Sequence, residues 1–416
     1  MTAQRTRIYG WIMASLTLGL ALLWALLSSG GIDPGGKPLG TDFTSFWAAS
    51  QLSLDGHPDW VYDTERHFAA QRAIFDGADR GYAAFFYPPV FLLLCLPFAT
   101  LPYLISLSLW LSVSFAFCWA VLRRYLGGQI DLLPILAFPA TLQNLGHGQN
   151  AFLSTALFGG ALLLLEKRPF VAGACFGALV FKPHLGILIP LFLAVTGRWR
   201  AFVSATGTAF ALLSFSWLVL GHETWLRFLE IAPAARVAME QNLVGYEKMQ
   251  SLFAGLRLLG APLALAYSAQ ILAAIVAAGL LVMLCRREPP RSQTGCGDQG
   301  AALVLATLLA SPFLLDYDLM LLAIPLAWLF MEGRTHGFAP WEKFVLIAAF
   351  VLPLVSRSMA SAIGVPLAPL VIACLFVLVL RRAGLFQGGL SRLDRIMFSR
   401  NRKAVPAKHV NPIDLK

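Results

Sequence analysis

At 416 residues, with 58% apolar residues, 13% charged residues and a net charge of +10, the chain is too hydrophobic for a soluble domain, where apolar content is nearer roughly half; mean hydropathy is +0.69. Its basic residues fall in short clusters between apolar segments and in the C-terminal tail. This is the pattern that orients membrane proteins and holds them to anionic lipid, so the charge does not call for a nucleic-acid partner.

The chain therefore reads as an all-α polytopic membrane protein: one membrane domain over residues 1–398, with about 12 transmembrane helices, and a basic tail over 399–416. Cys95, Cys118, Cys175, Cys285 and Cys374 lie within apolar runs and Cys296 lies in a loop. They form neither a disulfide framework nor a metal-ligand spacing, and no metal or cofactor is expected.

In chain order, Arg5 and Arg7 precede an apolar run from Ile8 to about Ser29. It reads as an uncleaved first span with its N-terminus inside and the next loop outside. The Gly- and Pro-rich link from Gly30 to Gly40 follows. Then Phe43, Phe46, Trp47, Ala49 and Leu52 recur at three- and four-residue steps, which predicts a short interfacial helix with its aromatics toward the acyl chains. A second such helix is predicted from Asp63 to Asp76, after the turn Asp55-Gly56-His57-Pro58.

Apolar runs then open at Tyr87, after Leu101-Pro102, at Ile130 (broken by Pro134 and Pro139), at Ala151, at Phe170 and at Leu185. A full span runs to Leu220. A mixed stretch from Gly221 to Gly260 is expected to be the second large outer loop. Further spans follow from Pro262, Ala301, Met320, Phe344 and Val365. The total is odd, whereas two cytoplasmic termini require an even number, so either the run from Tyr87 or the one from Ile130 fails to cross.

Four polar clusters interrupt these runs: the loop around Asp42, then His147-Gly148-Gln149-Asn150, Lys182-Pro183-His184 and Asp316-Tyr317-Asp318. Alternation driven by the basic loops puts all four on the outer side. Each also has an ordinary structural explanation. Asp42 suits a helix cap before Phe43, Gln149 and Asn150 can satisfy a helix start, Lys182 can snorkel to the interface, and Asp316 and Asp318 can be solvated loop carboxylates. Neither His147 nor His184 stands out as a base.

Taken together, the clusters suit transfer of a sugar from a polyprenyl phosphate. The departing phosphate needs a cation, supplied by Lys182. The acceptor hydroxyl needs a carboxylate to take its proton, supplied by Asp42. Gln149 and Asn150 can hydrogen-bond sugar hydroxyls. A transporter or flippase of a lipid-linked glycan is the alternative, but it calls for ionisable residues at the bilayer midplane and an internal repeat, and neither is visible.

The run Asp42-Phe43 with Phe46-Trp47-Ala48-Ala49, Leu54, Gly56 and Val61-Tyr62-Asp63 resembles the opening loop of glycosyltransferase family 87. Tyr87-Pro88-Pro89 with Pro97 and Leu101-Pro102 resembles its second block. Gly148-Gln149-Asn150 with Ala172-Gly173 and Phe181-Lys182-Pro183 resembles its third, and Ser311-Pro312 its fourth; together they span about Gly40 to Phe330.

The resemblance implies a GT-C-like bundle in a bacterial cytoplasmic membrane with its active site on the outer face. It further implies a polyprenyl-phosphate donor, typically of mannose, and inverting, metal-independent transfer to a lipid-linked or cell-envelope glycan. Asp42 matches the acidic residue taken as the base. Tyr87, Gln149, Asn150, His184, Asp316 and Asp318 are the expected substrate-binding residues. A histidine that often follows Ser-Pro in the fourth block is replaced here by Asp316-Tyr317-Asp318, which puts a histidine role there in doubt.

Overall fold

A computed structural model describes residues 3–127, 132–287 and 297–385. The expected tail over 399–416, Cys296, the start of the run at Ile130 and most of the polar loop after Arg287 lie outside the described residues. Among the described residues the chain is helical, with isolated β-bridges and no sheet. Four helices are long and apolar enough to cross a membrane, within Tyr103–Tyr125, Trp199–Glu240, Leu263–Cys285 and Glu342–Ile363, and shorter apolar helices fill the spaces between them.

The chain shuttles between two ends. At one end lie the basic turns, tied together by two ion pairs, Arg198 to Glu166 at 2.5 Å and Arg382 to a buried Glu342, and by a hydrogen bond from Arg287 to the Gly384 carbonyl at 2.7 Å. At the other end lie the four polar clusters. Helix α1 (Ala3–Leu26) reaches this second end, and the chain stays there through α2 (Phe43–Leu54), α3 (Thr64–Ala73) and α4 (Pro89–Cys95). Helix α5 (Tyr103–Tyr125) then returns to the basic end at Arg123 and Arg124.

This resolves the odd count of apolar runs. The run from Tyr87 does not traverse, because both of its ends are fastened at the polar-cluster end. The Tyr87 hydroxyl donates to Gln149 at 3.3 Å, Gln51 of α2 donates to the Ala99 carbonyl, and Trp47 donates to the Leu101 carbonyl at 3.1 Å. The Pro-broken run does traverse, as α6 (Leu133–Leu136) and α7 (Pro139–His147). Its start packs on Gly10 of α1, and its end carries His147 into the polar clusters.

Helix α2 corrects one expectation. Its aromatics face protein instead of lipid: Phe43 and Phe46 are 1% and 2% exposed, and they pack on Tyr103, Phe91 and Trp110 with ring centroids 4.9–6.2 Å apart. Burying each is worth about 1.5–3 kcal/mol, so the loop is a folded part of the core. The second loop helix forms as expected. Asp63 caps α3 by accepting from the Glu65 and Arg66 amides at 3.0 and 3.1 Å, which satisfies donors that the first turn leaves unpaired.

From the polar-cluster end α8 (Ala151–Leu164) descends, and α9 (Pro169–Ala178) climbs back to Lys182. Short α10 (Pro183–Gly186) and α11 (Ile189–Val195) descend again. Gly173 and Gly177 of α9, four residues apart, leave no room for a Cβ against the backbone of α12 (Trp199–Glu240), where the Ala201 and Ala205 carbonyls sit. Such spacing lets two backbones approach in an apolar medium, and it fixes the height at which α9 delivers Lys182.

Helix α12 bends at Gly221, whose backbone is non-helical (φ 84, ψ 164). Its second half stays at the polar-cluster end, with Phe228 against Tyr62. There α13 (Leu252–Leu258) completes the second loop. Helices α14 (Leu263–Cys285), α15 (Gly297–Ala310), α16 (Ala323–His336), α17 (Glu342–Ile363) and α18 (Leu367–Arg382) alternate between the ends, with the 3-10 turn Asp316–Leu322 between α15 and α16.

Candidate active site

The site is built where the first loop meets the elbow between α7 and α8. Gly148 ends α7 in the left-handed conformation (φ 67). A Cβ there would lie 2.6 Å from Phe43 Cβ and 3.2 Å from Gly40 Cα, so glycine is required by space as well as by backbone angle. This close approach lets the Asp42 amide donate to the His147 carbonyl at 2.9 Å. Thr41 Oγ1 meets His147 Nδ1 at 2.9 Å, and Trp110 donates to the Gly148 carbonyl at 3.1 Å. From the other side, the Tyr103 hydroxyl donates to the Leu39 carbonyl at 2.5 Å.

With its backbone held this way, Asp42 stands at the start of α2 but makes no side-chain capping bond. Its carboxylate instead accepts from Gln149 Nε2 at 2.8 Å, with His147 Nδ1 at 4.0 Å, and is 32% exposed. Gln149 is itself oriented, because its Oε1 accepts from the Asn150 amide at 3.1 Å and from the Tyr87 hydroxyl at 3.3 Å. Tyr87 is positioned by Tyr62, whose hydroxyl donates to the Tyr87 carbonyl at 2.9 Å. Burial, with Asp318 and Asp42 adding to it, pushes the Tyr87 phenol up, so it stays a donor. The Asn150 side chain is fully buried, and both of its amide atoms lack a hydrogen-bond partner.

The second part of the site is an ion pair. Lys182 Nζ donates to Asp318 Oδ1 at 2.5 Å, with side chains only 3% and 1% exposed, and it lies 4.9 Å from the centre of the Tyr317 ring. His184 Nε2 is 3.9 Å from the other Asp318 oxygen. Burial alone would raise the Asp318 carboxyl, but the Lys182 ammonium and His184 outweigh it and hold it below the usual range. Lys182 thus does not snorkel, and Asp316 and Asp318 are not solvated loop carboxylates.

Tyr317 joins the two parts. Its carbonyl accepts from Asn144 of α7 at 3.1 Å, and its ring lies 6.5 Å from that of His147. Asp316 is also buried. One of its oxygens accepts from the Tyr317 amide at 2.9 Å; the other has no hydrogen bond and faces Arg357 at 3.7 Å. Burial raises the Asp316 carboxyl, and the Asp42 charge adds to this, against His147 and Arg357. The second loop latches onto the same turn: the Asp316 amide donates to the Lys248 carbonyl at 3.0 Å and the Gln250 amide to the Leu314 carbonyl at 2.7 Å.

The structure thus gathers Asp42, Tyr87, Gln149, Asn150, Lys182, His184, Asp316 and Asp318 at one end of the bundle. Sequence reasoning missed Arg357, Asn144, Tyr317 and the bracing role of His147. The signal for Arg357 was present, as a lone arginine in the apolar segment between Phe344 and Ile363, where a charge inside a span is costly and rarely incidental. Among the described residues no three His, Cys, Asp or Glu side chains converge as metal ligands.

One carboxylate, partly exposed and held by a neutral donor, beside a compact pair of opposite charges, can accept a proton on one side and steady an anion on the other. A family model for glycosyltransferase family 87 matches residues 85–312, more than half of the chain. No curated protein and no solved structure matches it.

Proposed function

We propose a function from one premise: the chain belongs to glycosyltransferase family 87, so it transfers a sugar from a donor to an acceptor. The donor in our reading is a polyprenyl-phosphate sugar, mannose by family resemblance, and the acceptor is a lipid-linked or cell-envelope glycan. The protein works in the cytoplasmic membrane with the site on the outer face. The distribution of charge supports that orientation, because the turns carrying Arg123, Arg168, Arg198 and Arg382 lie at the opposite end from Asp42.

The observation that carries the reading is the state of Asp42. A side chain that would ordinarily cap α2 is left free of capping, is 32% exposed, and takes one hydrogen bond, from Gln149. In the proposed reaction the acceptor hydroxyl gives its proton to Asp42 while its oxygen bonds to the anomeric carbon. The bond from that carbon to the phosphate oxygen breaks, the configuration inverts, and polyprenyl phosphate leaves with the electron pair.

Lys182 is the proposed phosphate contact. Its ammonium has three donors and spends one on Asp318, while Asp318 and His184 fix its position. Tyr87 and Gln149 orient the base, and the unpartnered Asn150 carboxamide is suited to a sugar hydroxyl.

The test is purified protein in nanodiscs with polyprenyl-phosphate mannose and a membrane lipid extract. The expected result is acceptor-dependent release of polyprenyl phosphate and a glycolipid one mannose longer. A protein that moves the donor across liposomes with its sugar-phosphate bond intact, or that transfers only from a nucleotide sugar, would overturn the proposal.

A further inference from the structure

Among the described residues two arginine pairs are too long for a hydrogen bond from the guanidinium: Arg66 with Asp63 at 3.6 Å, where both side chains are exposed, and Arg357 with Asp316, where the carboxylate is buried. Arg198 meets Glu166 at 2.5 Å and Arg236 meets Glu240 at 2.6 Å, distances at which the guanidinium donates hydrogen bonds. Arg357 stands 3.7 Å from Asp316 Oδ2, is 39% exposed and makes no hydrogen bond among the described residues, so its five donors are unspent. Asp316 Oδ2 is in the same condition, buried and without a donor. A buried carboxylate oxygen and an arginine so close, yet unbonded, form an incomplete interaction: the cation is held near a negative charge without being used.

The placement of Arg357 is not incidental. It lies one turn beyond Pro353, which sits inside α17 and leaves a backbone carbonyl there without its helical donor. Gln143 of α7 donates to the Pro353 carbonyl at 2.5 Å, so the last turns of α17 are registered against the same helix whose end carries His147 and, through it, Asp42. An arginine in an otherwise apolar helix is costly and marks a place where charge is handled. The Lys182 ammonium already faces one counter-charge in Asp318, so a phosphate that gains charge as it leaves calls for a further cation beside it.

We propose that Arg357 is a second contact to the phosphate of the lipid-linked donor, joining Lys182, and that Asp316 is its counter-ion before the donor enters. This deepens the reading of the function given above and rests on it. Donor entry exchanges one anion for another: the phosphodiester, with a single negative charge, displaces the loosely held Asp316 carboxylate from the guanidinium. As the anomeric bond breaks, the leaving monoester gains a second negative charge, and the planar fork of Arg357 can meet two of its oxygens at once. Asp316 then opposes the phosphate: it competes for Arg357 and lowers donor affinity while the site is empty.

The test measures equilibrium binding of a short-chain polyprenyl phosphate, without acceptor, to protein in neutral-lipid nanodiscs, with the uncharged polyprenol as control. Wild type should bind the phosphate and not the alcohol. Arg357→Gln should weaken phosphate binding on the order of 10- to 100-fold, and Arg357→Lys should recover part of it. Asp316→Asn should bind as tightly as wild type or several-fold tighter, because it removes the competitor.

Weakened binding in Arg357→Gln with no weakening in Asp316→Asn is what a purely structural bridge would not give. Arg357→Gln binding like wild type, or both variants weakened alike, overturns the inference alone. Wild type indifferent to polyprenyl phosphate overturns the donor class and the inference together.

Discussion

Replacing Asp42 by asparagine removes the proton acceptor while changing almost nothing else. The carbonyl oxygen of the new carboxamide can still accept the Gln149 hydrogen bond, and the backbone tie from residue 42 to the His147 carbonyl is untouched. Because the side chain is 32% exposed and makes no capping bond, folding loses only a charge-assisted contact and a favourable charge at the start of α2. Together these are worth about 1 kcal/mol. Turnover loses its general base, a factor of about 10²–10⁴, or roughly 3–5.5 kcal/mol on the barrier. Single-turnover transfer in nanodiscs, at saturating donor and acceptor, should therefore fall by that factor. Donor affinity and melting temperature should barely move. An Asp42→Asn protein that folds and transfers within a few-fold of wild type would refute the assignment of the base.

Lys182→Met strands the buried Asp318 carboxylate and should cost about 3–5 kcal/mol of stability; adding Asp318→Asn should return most of the lost melting temperature without returning transfer, as thermal unfolding and a transfer assay would show. Gly148→Ala places a methyl group 2.6 Å from Phe43 Cβ at a positive φ. It should destabilise by about 1–3 kcal/mol and lower turnover more than donor affinity, read from kcat and KM. His67 supplies a pH dependence. Burial holds its imidazole down to about 4, against the Ser45 carbonyl it donates to at 3.1 Å, so the folded loop keeps it neutral. Between pH 6.5 and 4 the unfolded loop takes a proton that the folded loop refuses, and stability on the order of 3 kcal/mol, present above 6.5, is lost. Hydrogen exchange over residues 64–73 should report opening between pH 7 and pH 5 that His67→Gln does not show.

Much of this arrangement was legible in the sequence because charge and hydropathy act locally. The basic turns place their own loops, so alternation alone brought Asp42, Gln149, Lys182 and Asp316 to one end. The turn signal Asp55-Gly56-His57-Pro58 announced α3 because turn chemistry is a matter of a few neighbouring residues. The sequence was silent where partners are distant. The run from Tyr87 to Ala99 and the run from Ile130 to Leu145 look alike in hydropathy. What separates them is that Gln149, 62 residues beyond Tyr87, meets its hydroxyl, while Gly10 of the first helix receives Leu133. Phe43 and Phe46 have the spacing of an interfacial helix, and only the positions of Tyr103 and Trp110 turn them into core. The burial of Asp318 likewise follows from Lys182, 136 residues away.

The contact between Gly40 and Gly148 also sets an order of events during synthesis. Asp42 leaves the ribosome early, yet the elbow that grips it comes about a hundred residues later and the turn bearing Asp318 about 280 residues later. At roughly 5–20 residues per second, the carboxylate waits on the order of 15–60 seconds for its surroundings. Early in that interval the aromatic side of α2 lacks Trp110, then for a time it lacks Gly148, and to its end it lacks the turn bearing Asp318, so the nascent first loop is a natural client for the insertion machinery.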